Sequence, residues 1–191
     1  QPLQVSRADD DFEDGADPEW DPVSGVWSVV DADGSKRYRQ SQTSGSGKAV
    51  IGDAGMADYT FQADVVPISL ASGVVGFYIH YADDTTFYSI ELADSQAVRI
   101  KKFLNGVQTV LQEQSFPLSP GTSYELKADI RKDRGTGGQR IRVYIDGLLV
   151  LNALDSSQVI PSGRAVLSTW NASAQFDNVR LNVDVLPQRL L

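Results

Sequence analysis

Tyr124-Glu125-Leu126-Lys127-Ala128-Asp129-Ile130 and Arg140-Ile141-Arg142-Val143-Tyr144-Ile145-Asp146-Gly147 decide the fold. In the first stretch Tyr124, Leu126, Ala128 and Ile130 alternate with Glu125, Lys127 and Asp129. In the second, Ile141, Val143 and Ile145 alternate with Arg140, Arg142 and Tyr144. Successive side chains of a strand point to opposite faces, so a period of two describes a strand with one face buried and the other wet. Asp146-Gly147 then closes a hairpin, because both positions of that tight turn need positive φ.

The same grammar extends in both directions. Strands are predicted over residues 26–30, 59–66, 74–81, 87–92, 98–104 and 107–112 on the amino-terminal side, and over 165–170 and 176–183 on the other. With 124–130 and 140–145 they are short runs separated by turn residues. Asn105-Gly106 marks a second tight hairpin, and Gly135-Thr136-Gly137-Gly138 a longer tip. No stretch sustains a helical period; one helical turn is expected near residues 155–159. About ten to thirteen strands in one domain mean two packed antiparallel sheets, an all-β sandwich with one broad outer face free to be concave.

Composition narrows the chemistry. Among 191 residues there is no Cys and one His, which removes disulfides, thiolate metal sites, Cys nucleophiles and multi-histidine metal centres. Lys and Arg total 17 and Asp and Glu 25, a net charge of −8 that argues against general nucleic-acid binding. No apolar run reaches the roughly 20 residues of a membrane helix. The chain opens on Gln1, as expected of a processed product or an excised domain. Residues 1–185 read as one sandwich domain and 186–191 as a tail or linker. The first 25 residues are acidic and turn-rich, a solvated segment that Phe12, Trp20 and Trp27 pin to a core.

Several segments in fixed order resemble the concanavalin A-like jelly roll of the laminin-G and glucanase type. They are Asp10-Asp11-Phe12-Glu13-Asp14-Gly15, Gly25-Val26-Trp27-Ser28-Val29, Asp58-Tyr59-Thr60-Phe61-Gln62-Ala63-Asp64-Val65 and Gly76-Phe77-Tyr78-Ile79-His80-Tyr81. Phe87-Tyr88-Ser89-Ile90-Glu91-Leu92, Val143-Tyr144-Ile145-Asp146-Gly147 and Phe176-Asp177-Asn178-Val179 complete the order. The resemblance implies carbohydrate handling by a secreted or periplasmic protein, with this domain as part of a larger multidomain chain. It also implies a structural calcium where the first and last strands meet, held by Asp11, Glu13 and Asp177. Calcium takes six to eight oxygen ligands, which suits carboxylates.

The residues were weighed against each chemistry the fold hosts. A retaining glucanase needs paired carboxylates about 5 Å apart, and no Glu-x-Asp-x-Glu strand occurs. Asp64 and Glu91 each stand alone on a strand, and Asp129 has no second acid two residues away on its own. A polysaccharide lyase needs a base, a carboxylate clamp and a proton donor. Alternation places Tyr78 and His80 on one face, with Phe87 following on the next strand and Arg99 and Lys101 on the one after. His80 stands where similar sequences carry Arg, and the Arg-Ser/Thr-Glu-Leu and Gln-Ile/Val-His strands of alginate lyases are not reproduced. Gly45-Ser46-Gly47-Lys48 fails as a phosphate-binding loop, because Gln42 holds the required first glycine position. The favoured expectation is a non-catalytic carbohydrate-binding module contacting a polysaccharide through Tyr78, His80, Phe87, Arg99, Lys101 and Trp170. Arg99 and Lys101 in an acidic chain hint at an anionic sugar. Two alternatives stay open: a small lyase with His80 or Tyr78 as base and Arg99 or Lys101 as clamp, and a protein-binding adhesion domain.

Overall fold

A computed structural model describes residues 3–185; the expected tail, 186–191, lies outside the described residues. Fifteen strands follow in chain order. They are β1 (Leu3–Asp10), β2 (Asp21–Ser24), β3 (Trp27–Ala32), β4 (Ser35–Gln40), β5 (Ser46–Ile51), β6 (Tyr59–Ser69), β7 (Val74–Asp83) and β8 (Thr86–Ala93). After them come β9 (Ala97–Leu104), β10 (Val107–Ser115), β11 (Tyr124–Lys132), β12 (Gln139–Ile145), β13 (Leu148–Asp155), β14 (Arg164–Trp170) and β15 (Ser173–Val185). An eight-stranded sheet runs β13-β12-β11-β6-β15-β4-β3, with β1 added along β15. A seven-stranded sheet runs β10-β9-β8-β7-β14-β5-β2. Every pairing is antiparallel, which makes a jelly-roll β-sandwich.

Alternation builds the core as expected. Leu126, Ala128, Ile130, Ile141, Val143 and Ile145 are at most 2% exposed. They meet the inward residues of β7, β8 and β9, and Phe61 packs on Phe77 across the interface at 4.6 Å between ring centroids. Truncating one such ring costs about 3–5 kcal/mol, so each is a large share of a marginal stability. The two tight hairpins form as read: Asn105 and Gly106 have φ of 50° and 81°, Asp146 and Gly147 of 50° and 80°.

Two expectations fail, the fully solvated amino-terminal run and the helical turn near residues 155–159. The acidic amino-terminal run is partly ordered as β1, and Asp10 is buried because its carboxylate accepts from the Phe12 amide at 2.8 Å and the Trp20 indole at 3.0 Å. Ser46 and Gly47, from the stretch that fails as a phosphate-binding loop, open β5. A side chain at Gly47 would strike Gln40 Cγ and Thr169 Oγ1, both at 2.6 Å. At residues 155–159 the chain leaves β13 and bends at 157–158, with no helical turn. Trp27 is half-buried; it lies on Tyr38 at 4.8 Å and on Phe176 at 5.8 Å.

Candidate functional site

The face of the seven-stranded sheet turned away from the core forms an open trough of about 430 Å³. Strand alternation supplies its floor. On β7, Val75, Phe77 and Ile79 enter the core and leave Val74, Gly76 and Tyr78 on the outer face. On β8, Tyr88, Ile90 and Leu92 go in and Phe87, Ser89 and Glu91 go out. On β9, Val98 and Ile100 go in, and Arg99, Lys101 and Phe103 face outward. Register then aligns the rows: Tyr78 opposite Ser89 opposite Lys101, Glu91 opposite Arg99, and Phe87 opposite Phe103. Trp170, at the end of β14 opposite Val74, stands on the rim and is 50% exposed. The turn behind it is fixed by Asn171, whose amide donates to the Gly45 carbonyl at 2.9 Å and whose Oδ1 accepts from the Gly45 amide at 2.8 Å.

Five of the six contacts expected from the sequence therefore line one cavity: Tyr78, Phe87, Arg99, Lys101 and Trp170. Their roles differ from the expectation in two respects. Phe87 is buried between stacked neighbours, Tyr78 at 4.0 Å and Phe103 at 4.5 Å between centroids. It backs an aromatic platform whose accessible members are Tyr78 and Phe103. Arg99 and Lys101 do not present free positive charge. Arg99 grips the buried Glu91 carboxylate through Nε and Nη2, each at 3.0 Å, and reaches Glu113 at 3.4 Å. Lys101 lies 3.6 Å from the same Glu91, and Ser89 donates to it at 3.2 Å. Glu91 inside the trough and Glu113 beside it take up these two cations, which weakens the hint of an anionic sugar.

A second polar node lies across the platform. Lys48 of β5 pairs with Asp84 at the β7–β8 turn, and the Tyr81 hydroxyl donates to Asp84 at 2.6 Å. The Lys48 ammonium and that hydroxyl hold the Asp84 carboxyl below the ordinary carboxylate range. Burial, with Glu91 and Asp84 nearby, pushes the Tyr78 phenol up. Burial and Asp84 do the same to Tyr81. Both phenols stay protonated, as hydrogen-bond donors. Sequence reading missed Lys48, dismissed with the failed phosphate loop, and also Asp84 and Tyr81. Their pairing joins strands distant in the chain, and no local pattern announces it.

His80 is a correction. A bulge at this point of β7 shifts its register with both neighbouring strands, between Ile79 and Asp83 and between Arg164 and Val166. His80 takes a left-handed φ of 48° and turns into the protein, fully buried, while Tyr81 takes the outer face. Its ring nitrogens sit 2.7 Å from the Ile160 carbonyl oxygen and 2.6 Å from that of Ala57. It touches neither trough nor solvent, so it is neither a ligand contact nor a base. Tyr78, the other base considered, has a phenol that burial makes harder to ionise, the reverse of what a base needs.

The expected calcium ligands are engaged separately. Asp11 Oδ1 accepts from the Glu13 amide at 3.1 Å, and Glu13 Oε1 accepts from the Lys36 amide at 2.7 Å. Asp177 accepts from the Asn178 amide at 2.7 Å and the Ser35 hydroxyl at 3.4 Å. Burial pushes its carboxyl up, and Asp64 adds to this. Among the described residues no three His, Cys, Asp or Glu side chains gather as a metal site.

With this geometry in hand, comparison with known proteins is informative. No protein-family model matches the chain. It is 29% identical over 164 residues to a levanase of Bacillus subtilis (strain 168), a match that takes in 84% of this chain. The chain spans only 22% of that protein's length. It also resembles the carbohydrate-binding module CBM66 from Bacillus subtilis, with a TM-score of 0.67 and 25% identity over 84% of this chain and 93% of that one. Domain 4 of AbnA, an extracellular arabinanase of Geobacillus stearothermophilus solved with arabinotriose, superposes with a TM-score of 0.70. That match covers 97% of this chain and 95% of the other at 13% identity, and it shows the shared fold alone. The chain thus has the lectin-like jelly-roll fold expected of it, and it resembles a binding module along most of its length.

Proposed function

We propose that this chain is a non-catalytic carbohydrate-binding module that holds an uncharged part of a glycan in the trough of its seven-stranded sheet. The carrying observation is the composition of that trough: aromatic faces beside two internally paired charge nodes, the first balanced with Glu113 at its edge. Sugars offer an apolar C–H face and a polar rim. Tyr78, Phe103 and Trp170 supply surface for the first, at low entropic cost because aromatic side chains are stiff. Glu91 with Arg99 and Lys101, and Asp84 with Lys48, supply charged donors and acceptors for hydroxyl groups. Bonds to charged partners are about twice as strong as neutral ones. A uronate would face Glu91 and Asp84 as well as the bases, so neutral sugars are favoured.

The likeness to CBM66 supports the binding role, and the levanase match makes levan the first glycan to try. By the same reasoning the module belongs to a longer, secreted polysaccharide-degrading protein and tethers it to substrate.

Electrophoresis through gels loaded with levan, arabinan, xylan or polyuronate tests the reading. Retardation by a neutral glycan, lost in Trp170→Ala and Tyr78→Ala, is the expected result. Two outcomes overturn it: no retardation by any of these glycans, or release of ultraviolet-absorbing unsaturated sugar from the polyuronate, the mark of a lyase.

A further inference from the structure

The one histidine of the chain is left over from the site, and its surroundings are unusual. Its ring sits where three segments converge at one end of the sandwich. Nδ1 is 2.7 Å from the carbonyl oxygen of Ile160, in the segment joining β13 to β14. Nε2 is 2.6 Å from the carbonyl oxygen of Ala57, in the segment joining β5 to β6. Both partners can only accept. A neutral imidazole has one N–H and one bare lone pair, so it satisfies one carbonyl and sets its lone pair against the other. Only the imidazolium donates to both. The two distances are also those of charge-assisted bonds.

The surroundings hold the ring in place. Its backbone amide donates to the Tyr59 hydroxyl at 2.8 Å, and that hydroxyl donates onward to the carbonyls of Gly163 and Arg164. The Tyr59 and Tyr88 rings flank it at 5.5 and 6.0 Å. Gly163 lies so close to the His80 backbone that a side chain there would meet it at 2.3 Å, and the Gly163 amide bonds Met56 O in the opposite segment. The titratable groups facing the ring are Asp58 beside Ala57, Tyr59 from β6 and Tyr88 from β8. The Tyr88 hydroxyl is held by Asp155, itself paired with Lys102. Burial is the largest influence on the ring and pushes it below the ordinary histidine value, with the two carbonyls and Asp58 opposing it. Against that stands the geometry, since a neutral ring leaves a bare lone pair facing a buried carbonyl oxygen at hydrogen-bond distance, a cost only the charged form removes.

We propose that His80 is an imidazolium staple joining the Ala57 and Ile160 carbonyls, so that closure of this end of the sandwich is controlled by pH. The staple is complete below about pH 6.5, where an unfolded histidine is charged too. It is lost as the pH climbs through the folded-state value, because the neutral ring releases one of the two segments. This inference does not depend on the glycan reading.

Because the chain has one histidine, its ring-nitrogen NMR signals need no assignment. On nitrogen-labelled protein at about pH 7, the expected signature is two protonated ring nitrogens, converting to one only at higher pH. Exchange of the Gly163 amide, corrected for intrinsic base catalysis, should speed up about tenfold across that conversion. Melting temperature should fall over the same range, and His80→Gln should remove that fall. A single protonated ring nitrogen at about pH 6 and above overturns the proposal. So does a melting profile that is the same in both proteins. If His80→Gln does not fold, the NMR signature of the unaltered chain decides alone.

Discussion

The two sheets turn very different outer faces to solvent although both are rich in charge. On the eight-stranded sheet, Arg131 pairs with Asp129 at 2.7 Å, Arg142 approaches Asp129 at 3.6 Å, and Lys127 lies over the Tyr144 ring at 4.8 Å. On the seven-stranded sheet, Arg99 and Lys101 converge on Glu91 beside the Tyr78, Phe87 and Phe103 rings. The ion pairs are of similar kind. The trough adds a stacked aromatic floor and a half-exposed tryptophan on the rim. Charge alone therefore does not set the two faces apart; charge held beside flat apolar surface does.

The strongest test of that contrast is Glu91→Ala. It strands Arg99 and Lys101, both only about a fifth exposed, without their common partner. A loss of about 3 kcal/mol in urea unfolding is expected, since removing one member of a buried pair leaves an uncompensated charge. Glycan binding should fall at least about 100-fold by calorimetry, a loss of about 3 kcal/mol. Trp170→Ala should weaken binding about tenfold and leave the urea midpoint nearly unchanged, because the ring is half in water.

A pH titration of binding probes the second node. The Asp84 carboxylate is held below its ordinary value, so its contribution is present above about pH 3.9 and is lost only as the pH falls through the lower folded-state value. Binding lost at higher pH would mean that the Lys48–Asp84 pair does not wall the trough. Calcium addition tests the ligand set that the resemblance implies: a rise in melting temperature abolished by Asp177→Ala would show an ion held by Asp11, Glu13 and Asp177, and no rise would remove it. The smallest effect is expected for Tyr144→Ala on the other sheet: no measurable change in glycan binding. A loss there would erase the distinction between the faces.

Much of this was legible in the residues. Period-two alternation located Tyr78, Phe87, Arg99 and Lys101 on one face because each lies in a regular run, and the register of antiparallel neighbours did the rest. It failed at His80, where one extra residue in β7 inverts the alternation, and a bulge has no reliable mark in a single strand's pattern. β4 escaped notice because Lys36, Arg37 and Arg39 disguise a strand whose inward residues, Tyr38 and Gln40, are fully buried. Gln40 is buried by donating to Thr169 Oγ1 at 2.7 Å and to the Ala172 carbonyl at 3.2 Å. Lys48, Glu91 and Asp84 acquire meaning only from partners on other strands, so no window of sequence shows their roles. The neutrality of the trough is a property of pairs, and a composition of −8 conceals it.

β1 and β15 set Leu3 directly opposite Val185. Entry to and exit from the described chain thus share one doorway, and it opens on the eight-stranded layer, behind the trough. A host protein joined at either end would hold the sandwich on a leash from a single point on the layer opposite the trough. A dye, bead or second domain could be attached at that doorway without shading the trough, and the same polarity would let the leash lengthen or shorten without changing what the trough can reach flat against a glycan surface.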